Sequence, residues 1–185
     1  PLVYPLSPII FFALTVLLIK VGEFKINPHN THTHFNNYTY NGTEKTWNET
    51  GKLEITIKSP LIRNETPTEI SYYNQPVAQI FSDDGSLWTI TADKGANIKK
   101  EHKITLNGHV HLHRPATKTK PETTVKTNTM NYNTLTRMAF CPEPTTIIQP
   151  NITITSDSAT INVKQNTITN GTNMNVISHQ ATQKH

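Results

Sequence analysis

The chain holds one cysteine, Cys141, in 185 residues. An internal disulfide is excluded, so the fold must stand on burial and ladder hydrogen bonds. Apolar residues reach only 35%, below the usual globular share, which argues against a thick-cored enzyme. The formal net charge is +4 and the pI about 9.2, yet no run of Lys or Arg is dense enough for a nucleic-acid groove. Phosphate-loop, dinucleotide and HExxH motifs are missing, as is a nucleophile elbow. The 13 acids sit mostly in turn-like stretches (Asp83, Asp84, Asp93, Glu101), and no two stand out as an acid–base pair. Neither catalysis nor a cofactor is expected. With no ATP site, any directional work must be powered from outside the chain.

Threonine and asparagine dominate what is present, at about a sixth and a tenth of the chain. Thr forms strands and tolerates exposure; Asn marks turns. This mix suits a thin all-β protein with much wetted sheet. Residues 1–19 read PLVYPLSPIIFFALTVLLI, without a charge. As a helix they span roughly 28 Å, close to a bilayer's hydrocarbon core. An uncleaved single-pass anchor over 1–20 is expected. A cleaved signal peptide is the rival, but no small-x-small site follows the apolar run. The flanking charges Lys20, Glu23 and Lys25 do not give an orientation; basic residues are expected on a flank ahead of Pro1.

Residues 21–50 read as a polar lead-in, with a short strand near Phe35–Tyr40. Its His29, His32 and His34 are read as solvated loop residues, since no set of metal ligands is complete. From 51 to 178 short strands follow one another, with turn signals every 8 to 12 residues and no amphipathic helix between them. Leu53, Ile55 and Ile57 alternate with Glu54, Thr56 and Lys58. Thr68–Tyr73 and Val77–Phe81 flank Pro76, which predicts an edge or bulge. Asp83-Asp84-Gly85 is a hairpin signal. Trp88, Ile90 and Ala92 share one face; Ile104, Leu106, Gly108, Val110 and Leu112 share another. Residues 93–102 are read as their connection, with Gly95 and Asn97 in the turns. Arg114–Pro121 reads as a charged loop and Thr123–Tyr132 as a strand. Ile152 and Ile154, then Ala159, Ile161 and Val163, alternate before a turn at Gln165-Asn166. Ile168, Met174 and Val176 finish the sheet, and residues 179–185 form a polar tail. About ten strands thus predict an antiparallel sandwich or jelly roll.

His109, His111 and His113 share the wet face of one strand, about 6.6 Å apart. They read as solvent-facing, so no metal site is assigned; a metal-responsive sensor stays open as a minor alternative. Six Asn-x-Thr sequons, at Asn37, Asn41, Asn48, Asn64, Asn151 and Asn170, keep open a membrane-anchored surface or adhesion β-protein without lipid-transfer activity.

The runs Trp88-Ile90-Ala92-Asp93-Lys94, Ile104-Leu106-Gly108-Val110-Leu112 and Thr127-Met130-Tyr132 resemble the LptC family of lipopolysaccharide-transport proteins. The resemblance implies a twisted, open antiparallel β-jelly roll of the OstA/LptA kind behind one N-terminal transmembrane helix. It implies inner-membrane attachment with the β-domain in the periplasm. The partners implied are lipopolysaccharide, an LptBFG-like ABC transporter complex and a soluble LptA-like bridge protein. Ile55, Ile57, Trp88, Ile90, Ile104, Leu106, Val110, Leu112, Ile154 and Ile161 are then expected to line a space for acyl chains, which gain about 0.8 kcal/mol per CH₂ removed from water. A core closed on itself is the alternative reading of the same residues. Early strands are expected to face the membrane complex. A late edge, carried by Ala159, Ile161, Val163, Met174 and Val176, is expected to face the bridge protein.

Overall fold

The computed structural model describes residues 36–179. The expected anchor, the histidines before residue 36 and the tail beyond 179 lie outside the described residues. Among the described residues no helix is long and apolar enough to cross a membrane.

Fourteen strands occur: β1 (Asn36–Trp47), β2 (Leu53–Glu65), β3 (Ile70–Asn74), β4 (Val77–Phe81), β5 (Leu87–Thr91), β6 (Lys94–Ile98), β7 (Lys103–Arg114), β8 (Thr123–Asn133), β9 (Met138–Cys141), β10 (Thr145–Gln149), β11 (Ile152–Ser156), β12 (Ser158–Asn162), β13 (Thr167–Thr172) and β14 (Asn175–Ser178). All belong to one sheet. Its register shows a simpler plan. Leu61–Glu65 of β2 pairs with β3, while Ile55–Lys58 pairs with β4. So β3 and β4 together form one interrupted strand beside β2. The same holds for β5 with β6 against β7, and for β10 with β9 against β8. It holds again for β11 with β12 and for β14 with β13. The domain is therefore an up-and-down run of nine long strands, four continuous and five broken in the middle. Antiparallel neighbours need only hairpins to join them.

The break is a crease. Within most half strands of the core, buried positions recur every second residue, as a pleated strand requires. Across the middle they step by three: Ser59 to Ile62, Tyr73 to Pro76, Ala92 to Gly95, Thr127 to Met130 and Ser156 to Ala159. A step of three would turn a straight strand inside out. Here the strand turns a corner, and both halves keep facing one interior. In β7 a bulge does the same work. Its register with β8 shifts between Asn107 and Val110, where Gly108 and His109 have φ of 77° and 45°. The ladder is carried through the crease by backbone bonds: Gln75 N–H to Asp93 O at 2.8 Å and Asp93 N–H to Gly108 O at 2.9 Å. Buried hydroxyls serve the same row. Ser59 Oγ lies 2.7 and 2.6 Å from the carbonyl oxygens of Leu61 and Asn74. Ser156 Oγ lies 2.6 Å from those of Ser158 and Thr172.

The creased sheet has two arms. One carries β3, β6, β9, β12 and β13; the other carries β4, β5, β10, β11 and β14. Side chains from both arms meet in a single apolar cluster.

Several expectations change. Strand β1 takes in the short strand expected near Phe35–Tyr40 and runs on to Trp47, through residues read as lead-in. Residues 94–98 are strand β6, with only Lys99–Glu101 as a 3₁₀ turn. Their inward positions are Gly95 and Asn97, which hides the pattern; a Cβ on Gly95 would lie 2.8 Å from Leu106 Cδ2. Of the edge or bulge expected at Pro76, the second holds: it sits buried at the break between β3 and β4, after Gln75 at φ 46°. Gly108 forms the bulge, outside the apolar row. The hairpin at Asp83–Gly85 and the turn at Gln165–Asn166 occur where the sequence places them.

Gly108 tests the crease. A side chain there is strained by its positive φ and would overlap the Asp93 carboxylate. Gly108→Ala is expected to destabilise the fold by about 2 kcal/mol, read as a lower urea midpoint. An unchanged midpoint would show that the bulge does not depend on glycine.

Candidate functional site: the interior and its mouth

Nine of the ten residues expected to line the interior are at most 4% exposed: Ile55, Ile57, Trp88, Ile90, Ile104, Leu106, Val110, Leu112 and Ile161. The tenth, Ile154, is partly buried and packs against the same cluster. The crease thus brings all ten into one apolar core. In this conformation the side chains fill it. Ile104 also reaches the floor of a groove of about 410 Å³, with Glu44, Trp47, Lys99 and His102 around it. Val110 lines a second groove of about 450 Å³ with His109, His111, Lys126 and Thr127.

The arm tips meet through polar groups that the sequence did not mark. Arg137, in the β8–β9 turn of one arm, donates from Nη1 to Asp83 Oδ1 at 2.6 Å and from Nη2 to the Phe81 carbonyl of the other. Glu54 lies 3.8 Å from Nη1. Burial opposes the Arg137 charge, but Tyr132, Asp83 and Glu54 outweigh it and raise the guanidinium above its ordinary value. Asn166, in the β12–β13 turn, accepts at Oδ1 from Trp88 Nε1 (2.6 Å) and Ser82 Oγ (2.8 Å). Its Nδ2 donates to Asp84 Oδ2 at 2.8 Å. Bonds from Ser86, then from Asn166 and the nearby Lys120, hold the Asp84 carboxyl below its usual range. At the β1 end, Glu44 points inward. It accepts from the Tyr73 hydroxyl at 2.7 Å and lies 3.4 Å from Lys99 Nζ. Arg137 and Asn166 thus join turns of one arm to the other arm at the mouth, while Glu44 bridges the arms at the β1 end.

The missed signal is the turn itself. An Asn at a positive-φ position (Asn166, φ 56°) reads from sequence only as a turn former.

Two outer edges remain. Among the described residues, β1 pairs with β2 alone, and at the far end β13 pairs only with β12 and β14 only with β11. Ala159, Ile161 and Val163 are core residues at 1% exposure or less, and β12 pairs on both sides. They do not form the late edge. Met174 and Val176 do lie there, 48% and 52% exposed, with Ile177 beside them on β14. The edge sits one strand further out than alternation suggested. Tyr38, Tyr40 and Trp47 give β1 its own exposed aromatics.

His109, His111 and His113 do not converge. His109 Nδ1 lies 2.7 Å from Asp93 Oδ2, and His113 pairs loosely with Glu122 at 3.6 Å. Among the described residues no group of three or more candidate ligands could hold a metal.

Cys141 reports on closure. It is fully buried, and burial pushes its thiol up to about 12. Thiolate is the reactive form. Cys141 is therefore expected to resist maleimide at pH 7.5 in the native chain and to react fully in denaturant. Rapid native labelling would mean that the interior stands open.

A crystal structure of LptH, the LptA-homologous periplasmic component of the lipopolysaccharide transport device of Pseudomonas aeruginosa, is similar in fold. The TM-score is 0.52 at 10% identity, covering 78% of this chain and 95% of that one. No curated protein sequence matches. The family model described as lipopolysaccharide-assembly, LptC-related, matches residues 8–170. With most of its length inside that match, the chain belongs to the LptC-related family.

Proposed function

We propose that the protein is a passive lipopolysaccharide-transfer module, pinned to the inner membrane by its apolar N-terminal stretch, with the creased sheet in the periplasm. It accepts lipopolysaccharide from an ABC extractor complex and passes it to a soluble bridge protein related to LptA. The observation that carries this reading is the single apolar interior, contributed by both arms and spanned at the mouth by the polar contacts of Arg137 and Asn166. When the arms part, acyl chains replace side-chain contacts between them. Polar latches suit reversible opening, because each protein–protein hydrogen bond is exchanged for one to water at a net difference of only about 1 kcal/mol.

The unpaired edges support the rest. An open edge with exposed apolar side chains invites strand addition. In this reading β1 meets the membrane complex and the β13–β14 edge, through Met174, Val176 and Ile177, meets the bridge protein. Edge-to-edge joining would set the interiors of neighbours in line, so that lipid passes between them without crossing water. The chain has no chemical role in this; it offers a place for the acyl chains at each step.

A photo-crosslinking residue placed at Leu106 or Trp88 is expected to capture lipopolysaccharide in cells, whereas one at Thr105, on the opposite face, captures none. Equal capture at all three positions, or at none, would refute an inward acyl site.

A further inference from the structure

The apolar row of β7 ends on a charge. Ile104, Leu106, Val110 and Leu112 face inward, and the next inward residue is Arg114, 2% exposed. Its Cζ sits 5.4 Å from the Trp88 ring centroid. Nη2 donates to the Pro121 carbonyl at 2.6 Å and to Thr123 Oγ1 at 3.0 Å. Nε and Nη1, which carry the other three hydrogens of the guanidinium, have no partner although both atoms are buried. Asp84 supplies only a longer-range attraction. A buried guanidinium with three idle donors is costly for a fold to keep. Nε–H and the Nη1 hydrogens leave the guanidinium on different sides, so each is a separate charged donor for a phosphate oxygen.

Position adds to this. Arg114 lies at the tip of its arm, where the 115–122 loop begins, and Lys120 of that loop donates to the Gln165 carbonyl of the opposite arm. Arg114 thus stands between the apolar interior and the mouth. An anionic amphiphile with its acyl chains along Val110, Leu112 and Trp88 would place its head group beside it.

We propose that Arg114 is the head-group site of the interior: it binds a phosphate group of the transported lipid through a charge-assisted bond from its idle donors once the 115–122 loop lifts. This rests on the lipid-transfer reading and assigns to one residue the recognition of the lipid's charge.

The test compares bis-phosphorylated lipid A with its enzymatically dephosphorylated form, on the full chain in detergent, with inorganic phosphate as a third ligand. The native chain is expected to bind the phosphorylated form at least about tenfold more tightly, the scale of a charge-assisted pair. Arg114→Gln is expected to abolish that preference and to leave affinity for the dephosphorylated form unchanged; Arg114→Lys is expected to retain part of it. A preference that survives Arg114→Gln overturns the proposal, as does equal binding of both lipids by the native chain. Inorganic phosphate binding more tightly than the lipid would assign the site to the free ion and overturn the head-group role. Binding of neither lipid would overturn the transfer reading itself, and this proposal with it. Should Arg114→Gln fail to fold, the native chain decides. Its Arg114 Nε–H resonance is expected to shift with the phosphorylated lipid and not with the other; no shift, or equal shifts, overturns the assignment.

Discussion

Everything in this domain depends on how a single sheet turns a corner without turning its apolar face outward. A strand alternates its faces every residue, so a sheet folded along a line must break that alternation in every strand it crosses. This chain does so at the middle of most of its long strands. It uses a three-residue step in most and a glycine bulge in β7, with buried serines and backbone bonds across the row. The result is two arms that share one interior, and an apolar core built by strands that each contribute from both halves.

The arms are joined differently at their two ends. At the crease they are covalently continuous. At the mouth they are held by Arg137 and Asn166 acting on groups of the opposite arm. Parting the arms at the crease would break the sheet ladder, whereas parting them at the mouth breaks side-chain contacts, polar at the rim and apolar within. The structure therefore has one end that resists opening and one that can yield. That asymmetry is what a carrier of amphiphiles needs, and it agrees with membership of a lipopolysaccharide-assembly family.

Much of this was legible in the sequence, and the losses have physical causes. Trp88, Ile90, Leu106 and Leu112 declare their burial by strict alternation. The crease was not legible, because a three-residue step reads as the end of one strand and the start of another. Nine long strands accordingly read as about ten short ones. Strand β6 was lost because its inward residues, Gly95 and Asn97, carry no apolar signal. Nine of the ten residues expected to face inward fall in the buried cluster, and Ile154 packs against it. The late edge was misplaced at β12, since alternation reports which side chains are inward and says nothing of which strand lacks a neighbour. Arg114 lay unnoticed at the end of an apolar row, read as the first residue of a charged loop.

The central claim is that the mouth must part for the interior to take acyl chains. The Asp83 amide donates to the Lys164 carbonyl across the mouth at 3.4 Å, so a disulfide between Asp83→Cys and Lys164→Cys would lock the arms together. The account predicts that the oxidised chain takes up no lipopolysaccharide and that reduction restores uptake in the same sample. Undiminished uptake by the locked chain would contradict it.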